Sequence, residues 1–87
     1  MPTYRVEFLN HRVERELDQV PEPDFSRVAA ALLKLENTPR PPGCLKLQGL
    51  RGWRMRVGNW RIIYRINDVD AIITIVAIKR RREDTYR

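Results

Sequence analysis

The sequence predicts a small α+β domain, in which a helical hairpin packs on one face of a mainly antiparallel sheet in the order β-α-α-β-β-β-β. Three observations lead there. Apolar residues recur with period two at the N-terminus, with helical period through Leu33, and with period two again from Trp53 onward. Gly58-Asn59 divides two alternating runs and marks a hairpin, since both residues tolerate positive φ. The chain has 87 residues, enough for one core that buries roughly 60–65% of the unfolded surface and too few for a second. Residues 1–87 therefore form a single domain.

Tyr4, Val6 and Phe8 alternate with Arg5 and Glu7, the mark of a half-buried first strand. Asn10 is placed to cap a helix whose Val13, Leu17 and Val20 share one side. Pro21 and Pro23 end it. Asp24 is a second N-cap candidate, and Phe25, Val28, Ala29, Leu32 and Leu33 follow the spacing of a helix docked on a core. The stretch from Thr38 to Gly43 holds three prolines, which suits a stiff crossover loop. Leu45 to Leu47 reads as a short strand, and Gly49 and Gly52 bracket a turn into the next. Two strands follow around Gly58-Asn59. Trp53, Met55 and Val57 oppose Arg54 and Arg56 in the first, while Trp60, Ile62, Tyr64 and Ile66 oppose Arg61, Ile63 and Arg65 in the second. Asn67 to Asp70 is a turn. Ala71 to Ile78 is apolar at nearly every position, which suits a central strand covered at least partly on both faces, and it runs into Lys79-Arg80-Arg81-Arg82.

Composition narrows the function. The longest apolar stretch, Ala71 to Ile78, has eight residues against about 20 for a membrane span, and Met1 to Asn10 lacks a signal-peptide pattern. The single cysteine, Cys44, excludes an internal disulfide and a CxxC metal motif. These features favour the cytoplasm. Cys44 is expected to be a small buried apolar residue. His11, the one histidine, sits at a helix start as a surface or capping residue, so neither a histidine zinc site nor a two-histidine ribonuclease is expected. No cofactor or metal site is indicated.

Charge is unevenly distributed. Residues 1–43 hold six Lys/Arg against seven Asp/Glu, whereas residues 44–87 hold eleven against four. So one-sided a domain suits a polyanionic partner, most often nucleic acid; the plainer alternative is a solvated basic surface. Arg54, Arg56, Arg61, Arg65 and Arg80 are the candidate residues. Guanidinium groups bind phosphate oxygens through paired hydrogen bonds and stay charged at physiological pH. Several on one sheet face can hold a backbone or stabilise the charge that develops when a phosphodiester is attacked. Trp53, Trp60 and Tyr64 alternate with them and belong to the core. Tyr86 lies beyond the last strand among charges, as a base-stacking or proton-transferring group or as a terminal anchor. Glu83 and Asp84 are the nearest carboxylates, in a run that is expected to be solvated.

Tyr4 to Phe8, the two helices, Leu45-Lys-Leu-Gln-Gly49, Trp53-Arg-Met-Arg-Val-Gly-Asn-Trp-Arg-Ile-Ile-Tyr64 and Ile78-Lys-Arg-Arg-Arg-Glu-Asp-Thr-Tyr86 together resemble the RelE/ParE superfamily of type II toxins, over nearly the whole chain and most closely its RelE branch. That resemblance implies a metal-independent, ribosome-dependent endoribonuclease that cleaves messenger RNA in the ribosomal A site and stops translation. The 2′-hydroxyl attacks the adjacent phosphate, leaving a 2′,3′-cyclic phosphate and a 5′-hydroxyl. It further implies that Arg61 and Arg80 stabilise phosphate charge and that Tyr86 stacks on the base and moves the proton. Arg54 and Arg56 fall where family members hold RNA and assist proton transfer, and Arg65 and Arg81 are expected to bind the substrate with them. The family often has lysine where Arg54 and Arg56 stand, and arginine, unlike lysine, is not readily tuned into a base. A cognate antitoxin is implied as partner, the pair binding operator DNA through the antitoxin. Two alternatives stand beside this one: a ParE-like inhibitor of DNA gyrase, and a non-catalytic nucleic-acid-binding module.

Overall fold

Period-two patterning at both ends of the chain resolves into one five-stranded sheet in the computed structural model, which describes residues 3–49 and 52–80. The elements are β1 (Arg5–Phe8), α1 (His11–Asp18), α2 (Asp24–Lys34), β2 (Leu45–Lys46), β3 (Trp53–Val57), β4 (Trp60–Asn67) and β5 (Ile72–Arg80). Their order matches the sequence expectation. In space the strands run β1-β5-β4-β3-β2. β1 is parallel to β5, and every other pair is antiparallel. The apolar run from Ala71 is thus central, flanked by β1 and β4.

Both helices lie on one face. Register puts Met55 opposite Ile62 and Val57 opposite Trp60, and partners directly across a sheet share a face. These residues, with Tyr64, Ile73, Ile75 and Ile78, meet Val13, Val20, Val28, Leu32 and Leu35 in a single core. Burial of each aliphatic side chain there is worth about 1.5–3 kcal/mol.

Local chemistry sets the helix ends, once as expected and once differently. Asn10 is extended, and its Oδ1 accepts from the Val13 N–H at 3.2 Å, satisfying an N–H that the first turn leaves over. Asp24 is not a cap. It is the first residue of α2, after Pro23 at the cap position; its carboxylate accepts from Trp60 Nε1 at 3.0 Å, and Glu22, just before the cap, accepts from the Ser26 N–H at 3.1 Å. The buried indole needs an acceptor, and it claims the one that sequence spacing assigns to the helix. Leu33 also departs from the helical stripe: it is 63% exposed, whereas Leu35, just past the helix end, is fully buried. Cys44 is half-buried rather than buried.

The connections follow their residues. In the β3–β4 turn only Gly58 takes positive φ, so Asn59 does not use its tolerance for it. Gly52 is required for space, since a Cβ there would lie 3.1 Å from the Tyr64 carbonyl oxygen. In the β4–β5 turn Asn67 Oδ1 accepts from the Asp70 N–H at 3.0 Å. The proline-rich crossover is pinned twice: the Tyr64 hydroxyl donates to the Pro39 carbonyl at 2.9 Å, and Arg40 pairs with Asp68 at 2.9 Å. Tyr4 donates to the same Asp68 at 2.6 Å.

One irregularity decides which side chains share a face. The β4–β5 ladder pairs Ile63 with Ala77 but Tyr64 with Ile75, so Val76 is an extra residue in β5, a β-bulge. Before it, Ile73 and Ile75 face the helices; after it, Ile78 does. Strict alternation from Ile75 would have put Ala77 and Lys79 on the core side and Ile78 and Arg80 on the open side. The bulge reverses both pairs.

Candidate functional site

The helix-free face of the sheet carries the charge. Arg54 and Arg56 of β3 and Arg61 and Arg65 of β4 all project from it, because their neighbours Met55, Trp60, Ile62 and Tyr64 occupy the core side. This is the four-arginine face that alternation predicts. Arg56 stands directly opposite Arg61, a like-charge cross-strand pair of the kind that costs stability. Among the described residues, Arg54, Arg61 and Arg65 make no ion pair with a carboxylate. Arg61 is half-buried and Arg65 exposed. At the far end of the sheet Arg65 reaches a groove of about 1050 Å³ that Arg40, Lys46, Trp53 and Asp68 also line. Arg40 lies over the Trp53 ring, 5.2 Å from its centre.

Arg80 does not join this face. Its register partner is Trp60 on the core side, and its guanidinium sits 5.6 Å from the centre of the Trp60 ring, a cation–π distance. The bulge at Val76 is the cause. Arg61 and Arg80 thus lie at the same end of the sheet on opposite faces. Arg81 and Tyr86, as well as Glu83 and Asp84, lie outside the described residues.

The bulge brings up Lys79 instead, which sequence reasoning passed over as one member of a basic run. Lys79 is paired with Arg61, so Arg56, Arg61 and Lys79 form a row across three strands, spaced about 4.8 Å per strand. The Lys79 ammonium is anchored by the Glu16 carboxylate of α1, Nζ to Oε2 at 2.6 Å, and the other oxygen, Oε1, accepts from the Ile78 N–H at 2.9 Å. β1 ends opposite Ile75, so beyond that point this edge of β5 has no strand partner, and a carboxylate stands in for one. Burial by itself would lift the Glu16 carboxyl, but the Ile78 N–H and the Lys79 ammonium outweigh it and hold the carboxyl below its ordinary value. No signal in the sequence pairs Glu16 with Ile78, 62 positions away.

Chemically, the face offers a strip of permanent positive charge with hydrogen-bond donors, suited to phosphate oxygens. On the core side the tyrosine of the hairpin is structural: burial, first of all, pushes the Tyr64 phenol well up, so it remains a neutral donor to Pro39. Tyr4 is likewise pushed up by its hydrogen bond to Asp68. Exposed His11 makes a 3.0 Å contact with Glu14, within α1.

The family described as "ParE toxin of type II toxin-antitoxin system, parDE" matches residues 8–85. Among solved structures, the chain is 31% identical to a chain of the archaeal RelE-RelB complex from Pyrococcus horikoshii, with a TM-score of 0.81, covering 93% of this chain and 98% of that one. It is 26% identical to a chain of a RelBE toxin-antitoxin complex from Mycobacterium tuberculosis, with a TM-score of 0.75 over 93% of this chain and 94% of that one. To the isolated E. coli RelE toxin the identity is 15%, a likeness of fold, with a TM-score of 0.80 over 94% and 88%. No curated protein matches. Among the described residues no helix is long and apolar enough to cross a membrane.

Proposed function

The chain belongs to the ParE toxin family within the RelE/ParE superfamily and is a toxin of a type II toxin–antitoxin system, and from that premise we propose that it is a ribosome-dependent endoribonuclease acting on messenger RNA. The observation that carries the reading is the open sheet face on which Arg54, Arg56, Arg61 and Arg65 stand together. A messenger bound there presents its phosphates to guanidinium groups that hold charge at every physiological pH. As the 2′-oxygen attacks, negative charge grows on the non-bridging oxygens, and a donor fixed beforehand stabilises it without reorganising. Arg61, at the centre of the row, has that role. Arg54, Arg56 and Arg65 hold the backbone on either side and act through charge alone. Arg80, steadied on Trp60 at the same end of the sheet, Arg81 and the base-stacking Tyr86 complete the proposal on the strength of the resemblance.

The partner proposed is a cognate antitoxin, supported by similar chains solved as RelE-RelB and RelBE complexes. Neutralising the arginine face with an acidic segment is one physical route to inhibition. The toxin acts in the cytoplasm, where ribosomes and messengers are, and the pair binds operator DNA through the antitoxin. A second reading, inhibition of DNA gyrase, is favoured by the ParE description of the matching family; the arginine face then docks protein.

Primer extension on a defined message in a reconstituted translation system separates the readings. Cuts within A-site codons that require ribosomes and fall by about a hundredfold in Arg61→Ala support the nuclease. An uncut message with undiminished translation, together with loss of gyrase supercoiling, would overturn it in favour of the second reading.

A further inference from the structure

The sheet is uneven at the end opposite the β3–β4 turn, and the unevenness makes a notch. β3 begins at Trp53, whose partner is Tyr64, whereas β4 continues beside β5 as far as the pair of Asn67 with Ile72. Arg65, Ile66 and Asn67 therefore overhang, and among the described residues no strand pairs with them on the β3 side. The groove of about 1050 Å³ lies in that gap, with room for a nucleotide. On the premise that the toxin is a nuclease, we infer that this notch holds an unpaired base of the messenger flanking the cut. The base stacks on the Arg40–Trp53 pair, and its phosphate lies on Arg65 and Lys46.

Three observations carry the assignment. The first is continuity. Arg65 stands on the open face with Arg61, because Tyr64 beside it is buried on the other, and it also lines the notch. Four residues along one strand set the two arginines about 13 Å apart, so a single strand gripped at both leads into the groove. The second is charge. Lys46 and Arg65 are exposed and, among the described residues, make no ion pair. Asp68, the carboxylate in the lining, is already met by Arg40 at 2.9 Å and by the Tyr4 hydroxyl at 2.6 Å. A phosphate entering the notch thus meets two cations and a carboxylate whose charge is answered. The third is shape. Asp68 fixes Arg40 with its guanidinium 5.2 Å from the centre of the half-buried Trp53 ring, and unpaired bases stack on aromatic rings and guanidinium planes of this kind. Ile66, Val69 and Ile72 add apolar surface beside them.

The test uses synthetic messages on ribosomes with an empty A site in the reconstituted system, at toxin concentrations below saturation. In each message one nucleotide flanking the cut mapped by primer extension, outside the P-site codon, is made abasic. That change removes the base and keeps the phosphate. At one position it should slow wild-type cutting about tenfold. Arg40→Lys keeps an ion pair with Asp68 but has no plane to stack on. It should slow the intact message several-fold and reduce the abasic penalty at that position to under about threefold, since both changes remove one contact. Lys46→Ala, at an exposed position, should slow intact and abasic messages by one common factor, because the phosphate remains. If no position is sensitive, or if every abasic penalty persists undiminished in Arg40→Lys, the notch holds no base of the messenger, and the inference falls while the nuclease stands. If the wild type cuts no message, intact or abasic, the nuclease reading itself fails and takes the assignment with it.

Discussion

β4 has two faces that differ in every respect except backbone. Trp60, Ile62 and Tyr64 are buried against the helices, whereas Arg61, Ile63 and Arg65 look outward across a row of cations. One period-two strand thus stores cohesion on one side and charge on the other. The difference teaches that cohesion and charge are largely separable in this molecule, because side chains on opposite faces of a sheet do not touch. They meet at one place, the end of β5, where the bulge and the Glu16 clasp join α1 to the row that holds Arg61.

The largest effect should come from the buried face. Ile73, fully buried between helices and sheet, leaves a cavity when cut to alanine. Ile73→Ala should lower unfolding free energy by about 2–5 kcal/mol, measured by urea denaturation, and a loss under about 1 kcal/mol would mean that the core is looser than its burial suggests.

An intermediate effect is expected at the junction. Glu16→Ala leaves the Ile78 N–H without its acceptor and should cost about 1–3 kcal/mol at neutral pH. The sign with pH follows from the lowered Glu16 carboxyl. A carboxyl that is more acidic in the folded than in the unfolded chain contributes its stability above the unfolded value and loses it as pH falls through the folded one. The gap between wild type and Glu16→Ala should therefore be constant above about pH 5 and shrink below about pH 4. A gap that widens in acid would contradict the clasp.

The smallest effect on stability belongs to the open face. Arg61→Ala removes one member of the opposed Arg56–Arg61 pair and should change unfolding free energy by less than about 0.5 kcal/mol, with any change favouring the fold. Its effect on message cleavage is meant to be large. A destabilised Arg61→Ala would show that the two faces are coupled after all.

The division of labour between sequence and structure runs along the same lines. Period two made the β3–β4 hairpin legible, and with it the shared face of Arg54, Arg56, Arg61 and Arg65. Asn10 was legible as a cap because the interaction spans three residues. Asp24 has the spacing of a cap but does not act as one, because its partner, the Trp60 indole, is 36 positions away and outcompetes the local N–H groups. Lys79 was passed over, and Arg80 placed with the other arginines, for one reason: alternation carries a face assignment along a strand only while the ladder is regular, and nothing in Thr74-Ile75-Val76-Ala77 announces an extra residue.

What the sequence by itself determined is local or periodic: the element order, the two faces of the hairpin, the core aromatics and the excess of positive charge in the second half. These follow from the two- and 3.6-residue periods of side chains about the backbone, which hold wherever the strand ladder or helix is regular. Tertiary structure alone decided which cations stand together. The Val76 bulge, set by how β5 must fit β4 on one side and the core on the other, turned Arg80 onto Trp60 and delivered Lys79 to Arg61 and Glu16. Pairings between residues about sixty positions apart depend on that fit, and no spacing within the chain encodes it.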